Sequence, residues 1–202
     1  MNNKLERRSL TVKELRISGD GEGGSPNIEG YASVFDSWSE QLGGDAPFRE
    51  KVVKGAFAET IEKDDIRCLF NHDPNYVLGR NKAGTLELEE DEKGLKVLIK
   101  PPKTGWAKDL ITSVKRGDIS NMSFGFAVEL DKWSFGDTGD VRELLRVKLF
   151  DVSLVTYPAY QATECDIRSV FQAREKQKAE EQTRKDAKFQ DYQETFKKGE
   201  SQ

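Results

Sequence analysis

The stretch Val147–Val155 is largely apolar on both of its alternating faces and carries a single carboxylate, Asp151, near its middle. Read as a strand, it puts Val147, Leu149, Asp151, Ser153 and Val155 on one face and Phe150, Val152 and Leu154 on the other. A strand of this kind has to be covered from both sides, so the chain must build at least two layers around it. The carboxylate is costly there unless it is paired or hydrogen-bonded. A histidine that gains charge during a reaction is one suitable partner. A lysine or arginine partner, or an edge strand facing water, is the plain alternative.

The rest of the chain has the punctuation of a mainly β protein. Strands are expected over Leu10–Ile17, Ile28–Phe35, Ile66–Phe70, Thr85–Glu90, Leu95–Ile99 and Met122–Leu130, with one or two more in Val141–Tyr157. Asp91, Lys93 and Gly94 mark a hairpin turn, and the glycine-rich run Gly19–Pro26 a flexible one. Helices are expected over Lys54–Lys63 and over Gly105–Lys115, where Trp106, Leu110 and Val114 share a face and Gly117 stands at the C-cap. Past Phe171 the composition shifts to mixed charges and helix formers with sparse apolar residues, which reads as a solvated helix or a partly disordered tail.

These features divide the 202 residues into a flexible N-terminus (1–7), one folded domain (8–168) and a charged C-terminal extension (169–202). A formal net charge of −4 argues against wholesale nucleic-acid binding. No run of apolar residues is long enough for a membrane span, and none follows Met1 as a signal region would. The chain is therefore expected in the cytoplasm of the cell that makes it. Cys68 and Cys165 form no ligand-spaced cluster, so no metal site and no cofactor is expected, and both cysteines read as small buried side chains.

Two further residues could carry chemistry. His72, the only histidine, follows the apolar run Ile66–Phe70 and continues the parity of Ile66, Cys68 and Phe70, beside a turn set by Asp73 and Pro74. A strand end holds a reactive group in place while leaving it accessible, and a neutral imidazole is a proton acceptor near pH 7. A histidine that merely caps a turn is the bland alternative. In Met122–Ala127, Met122, Phe124 and Phe126 alternate onto one strand face, while Ser123, Gly125 and Ala127 leave the other bare. A bare face lets another group approach the Ser123 hydroxyl, which a nucleophile requires. The alternative is a small-residue face packed against a second layer. Ser120 is a rival in a less constrained loop.

Four stretches together resemble the prohead, or capsid-maturation, serine proteases of tailed phages. They are Ile28–Phe35, Leu69–Asp73 with Leu78–Arg80, Met122–Phe126, and Asp151–Tyr160. The resemblance spans about residues 8–168 in the right order. It implies the fold of the herpesvirus assemblin protease: mainly β with α, a closed or partly closed β-barrel flanked by helices. It also implies metal-free peptide hydrolysis, with Ser123 as nucleophile, His72 as general base and Asp151 as the acidic third member. Glu143 and Glu129 are weaker rivals for that third place. Backbone N–H groups near Thr156–Tyr160 are a candidate oxyanion site. The implied substrates and partners are scaffold protein, the scaffolding segment of the major capsid protein, and the chain itself, in self-cleavage or a homo-oligomer. The implied place of action is the assembling procapsid in the host cytoplasm. A catalytically silent scaffolding module of the same fold is one alternative. A metal-dependent nuclease built on Asn71, His72 and Asp73 is another.

Overall fold

The computed structural model describes residues 5–11, 15–19, 26–43, 47–136, 139–157 and 164–199. In chain order its elements are β1 (Glu6–Thr11), β2 (Arg16–Ser18), β3 (Asn27–Val34), β4 (Phe48–Val52), α1 (Ala58–Lys63), β5 (Arg67–Phe70), β6 (Asp73–Arg80), β7 (Leu86–Glu90), β8 (Gly94–Ile99), α2 (Gly105–Arg116), β9 (Asn121–Ser134), β10 (Asp140–Val155) and α3 (Glu164–Gly199). One sheet runs β1-β9-β10-β5-β6, with β4 also paired to β10; the other runs β2-β3-β8-β7. The chain is mainly β with a few helices.

The barrel expected from the sequence does not form. Each sheet keeps open edge strands among the described residues, including β1 and β6 in one and β2 and β7 in the other. Among the described residues, the sheets meet through an isolated bridge between Phe35 and Val52. The reason lies partly in Leu10–Ile17. A single strand there would have run across both sheets, but it divides into β1, paired to β9, and the three-residue β2, paired to β3. Residues 12–14 between them, and most of the Gly19–Pro26 turn, lie outside the described residues. Two strands went unanticipated. β4 alternates charge with bulk, and β6 contains Pro74, which an edge strand tolerates.

One apolar core takes residues from both sheets and both short helices, including Ile28, Leu95, Val97, Leu110, Phe124, Phe126, Leu149 and Val152. The hairpin turn forms as expected, with Asp91 Oδ1 accepting the N–H groups of Lys93 and Gly94. α2 ends on Gly117 at φ 83°, a left-handed position that glycine fills without strain.

β10 is one strand of 16 residues, but its alternation is interrupted. The register steps from Leu149 opposite Phe126 to Asp151 opposite Gly125, leaving Phe150 unpaired as a bulge. Val147 and Leu149 therefore face the core, and so do Val152 and Leu154. Asp151 and Ser153 are turned to the opposite face, so Asp151 does not share a face with Val147 and Leu149 as strict alternation predicts.

Beside the core lies a buried ionic cluster. Arg142 donates from Nε to Asp131 (2.8 Å) and from one terminal nitrogen to Glu50 (2.9 Å) and Glu6 (3.1 Å). Arg8 donates to Glu50 and Glu6, each at 2.7 Å. Burial pushes the Glu50 carboxyl up, but Arg8 and Arg142 outweigh it and hold it below the usual carboxylate range. Two guanidiniums serve three carboxylates here, so removing Arg142 would leave buried carboxylates without a counter-charge, at a cost of about 3–5 kcal/mol. α3 continues from this region. Val170 packs with Phe48 and Trp133, Arg174 Nε donates to Asp140 at 2.7 Å, and Gln177 donates to Asp131 at 2.9 Å. Residues 182–191 further along it are exposed, including Phe189.

Candidate active site

Ser123 lies on β9 and Ser153 directly opposite it on β10, both on the face turned away from the core. Gly125, opposite Asp151, is the space into which the Asp151 carboxylate folds: a Cβ on Gly125 would fall well inside van der Waals distance of Oδ2. The bare face that marked Ser123 in the sequence thus accommodates a carboxylate from the neighbouring strand.

His72 arrives from the next strand pair. β5 and β6 are joined by the two-residue loop Asn71–His72, with Phe70 paired to Asp73. Asn71 has φ 53° and His72 φ 56°. Positive φ at both central residues is the geometry of a type I′ hairpin turn, where the second position normally belongs to glycine. A side chain held there costs on the order of 1–3 kcal/mol. The turn breaks the parity read from Ile66, Cys68 and Phe70. Cys68 points into the core, whereas the imidazole swings over the opposite face, where Asp151 and Ser123 are.

The three side chains meet. His72 Nε2 lies 2.7 Å from Ser123 Oγ, and Nδ1 lies 2.6 Å from Asp151 Oδ1. With the proton on Nδ1, the ring donates to Asp151 and accepts from Ser123. Ser153 donates to Asp151 Oδ1 at 2.7 Å and stands 3.2 Å from His72 Nδ1. Sequence reasoning passed over Ser153, although its signal was present: it lies two residues from Asp151, on the same strand face. Glu143 and Glu129 are elsewhere. Glu143 pairs with Lys51 and Lys132, and Glu129 with Arg146. Asp73, the suggested metal ligand beside His72, instead accepts from the backbone and side chain of Asn75, both at 2.9 Å. Burial, with Asp151 nearby, pushes the Cys68 thiol up, so this cysteine stays protonated beneath the site.

A second acceptor faces the Ser123 hydroxyl. The Arg8 carbonyl oxygen lies 2.9 Å from Ser123 Oγ and competes with His72 Nε2 for its one proton, and Ser123 has no exposed surface. Edge strand β1 therefore covers the hydroxyl. A groove lined by Arg7, Ser9, Asn71, His72, Val155, Thr156 and Tyr157 opens beside it. Of the oxyanion candidates, the Thr156 N–H is already given to Asn71 Oδ1. Pro158 has no N–H, and residues 158–160 lie outside the described residues.

A hydroxyl, an imidazole and a carboxylate in one hydrogen-bonded line, held on facing strands and a strained turn, define the geometric class of Ser-His-Asp sites. The chain belongs to the caudovirus prohead serine protease family, whose model matches residues 10–182. It is 33% identical over 155 residues to the prohead protease of Enterobacteria phage HK97, across 75% of this chain and 63% of that protein. It thus spans less than two thirds of that relative's length. Its fold is also similar to that of the bacteriophage T4 capsid assembly protease, at a TM-score of 0.53 and 12% identity, covering 78% of this chain and 100% of that one.

Proposed function

We propose that this chain is a serine endopeptidase acting inside an assembling phage prohead, with Ser123 as nucleophile, His72 as general base and Asp151 as the group that orients the imidazole. The observation that carries this reading is the pair of contacts on one ring, 2.7 Å to Ser123 and 2.6 Å to Asp151. Membership of the prohead protease family supports peptide bonds as the substrate. The scaffolding segment of the major capsid protein, a separate scaffold protein and the chain itself are the substrates proposed.

In this mechanism Ser123 Oγ attacks the carbonyl carbon of the scissile bond while His72 Nε2 takes the hydroxyl proton. The charge gained by the ring is stabilised by Asp151 at Nδ1, which also fixes the tautomer. His72 returns the proton to the leaving amine, the C–N bond breaks, and Ser123 keeps the acyl group as an ester. A water molecule, deprotonated by His72, then attacks the ester and frees the acid and the hydroxyl. The hydroxyl proton cannot be given to His72 and to the Arg8 carbonyl at once. Rotation of the hydroxyl selects His72, but β1 covers Ser123 completely and has to shift before a substrate carbonyl can reach it.

The test is co-expression with the candidate capsid protein. The native chain should shorten its partner, and Ser123→Ala and His72→Ala should each lower processing by about 10⁴-fold or more. Processing by the Ser123→Ala chain at the native rate would end the proposal.

A further inference from the structure

We infer that Asn71 is a positioning residue for His72, tying the turn that carries the imidazole to the end of strand β10. The inference rests on the reading of His72 as general base. Asn71 makes three bonds to a short segment of one strand end. Its N–H donates to the Leu154 carbonyl at 2.8 Å, its Nδ2 donates to Thr156 Oγ1 at 3.1 Å, and its Oδ1 accepts the Thr156 N–H at 2.9 Å. Leu154 and Thr156 flank the chain just past Asp151 and Ser153, the two residues that contact His72 Nδ1. The imidazole and the carboxylate it must meet are thereby referenced to the same strand.

The need for a tie follows from the turn. Asparagine suits the first left-handed position, because its short amide tolerates positive φ. Histidine at φ 56° does not sit there by local preference to the same degree. A two-residue loop carrying a strained second position relaxes unless its surroundings over-determine it. Asn71 supplies that restraint from the adjacent position, and proton transfer is sensitive to displacements of about an ångström.

A merely structural role makes the opposite prediction to a positioning role. If Asn71 served only to form the turn, glycine would replace it freely, since glycine adopts the left-handed conformation without cost. If it positions His72, Asn71→Gly keeps the fold but frees the ring. His72 is the only histidine, so its ring signals are read without ambiguity. The experiment records the low-field Nδ1–H proton resonance of the full chain in a Ser123→Ala background, which cannot cleave itself. It is paired with kcat and KM for peptide cleavage in the otherwise native chain.

Asn71→Gly is expected to melt with the native chain and to lose or broaden the Nδ1–H signal. It should lower kcat by about tenfold or more while KM stays within about twofold. Thr156→Val, which keeps the backbone N–H and loses only the hydroxyl acceptor, should show a smaller change in the same direction. A sharp, unshifted Nδ1–H signal in Asn71→Gly overturns the inference, as does an unaltered kcat or a loss of folding that tracks the loss of activity. If the native chain cleaves no peptide, the proposed function falls, and the ring signal still decides the role of Asn71.

Discussion

The Asp151 carboxylate lies directly over Gly125, in the space a side chain on that residue would take. Gly125→Ala should therefore act on Asp151 rather than on the backbone. The methyl group has to push Oδ2 aside, at a cost of about 1–3 kcal/mol in an already filled site, and the carboxylate loses its line to His72 Nδ1. A lowered melting temperature together with a fall in kcat larger than the loss of folded protein explains would be the expected pair. Native kcat in Gly125→Ala would show that the carboxylate has room to spare.

Ser153 is one of two groups bonded to Asp151 Oδ1. Both it and Asp151 are buried, so Ser153→Ala leaves the carboxylate short of a donor that water cannot readily replace. The expected cost is about 1–3 kcal/mol, measurable by urea unfolding. Peptide cleavage should fall by about tenfold, because the His72 ring then has one fewer fixed neighbour at Nδ1.

How much of this site was legible in the sequence depended on whether local pattern or backbone geometry decided it. Ser123 was legible because Met122, Phe124 and Phe126 alternate without interruption and leave a bare face. Asp151 was singled out because a carboxylate in an apolar strand needs a partner, but its face was misread. A bulge at Phe150 has no composition signal, and it reverses the parity of everything after it. His72 reads from the sequence as a strand-end residue beside a turn of Asp73 and Pro74, but those two open β6 and His72 is itself in the turn, where the paired positive φ values carry it to the far side of the sheet. The barrel was lost for a similar reason, since the break within Leu10–Ile17 depends on which sheet each half pairs with. The covering of Ser123 by β1 is a long-range pairing that no stretch of local sequence announces.

The ionic cluster gives stability an acid limit. Glu50 has its carboxyl held below the usual range in the folded chain, since Arg8 and Arg142 outweigh the opposing effect of burial. A carboxyl depressed on folding contributes stability that is fully present above its unfolded pKa and is lost as pH falls through its folded one. The window is thus below about pH 4.3, the ordinary glutamate value. Urea unfolding at several pH values should show the native chain losing stability on acidification through this range. Glu50→Gln, already weakened at pH 7, should lose less. Parallel pH profiles for the two chains would show that Glu50 does not set the acid limit.

The same cluster anchors the strand that covers the nucleophile. Glu6 and Arg8 are β1 residues; Glu6 is held by Arg142 and Arg8 by Glu50. The backbone carbonyl of Arg8 is the group that faces the Ser123 hydroxyl. Arg8→Ala removes one of the two charged anchors of β1, leaving Glu6 on Arg142 and that carbonyl in place, so it should loosen β1 without altering the chemistry at Ser123, His72 or Asp151. A fluorophosphonate that labels reactive serines reads the outcome directly. The native chain should react slowly, because Ser123 has no exposed surface, and Arg8→Ala should react several-fold faster. Ser123→Ala in the same background should not be labelled. Equal labelling rates in the native and Arg8→Ala chains would mean that β1 opens by a route the cluster does not control.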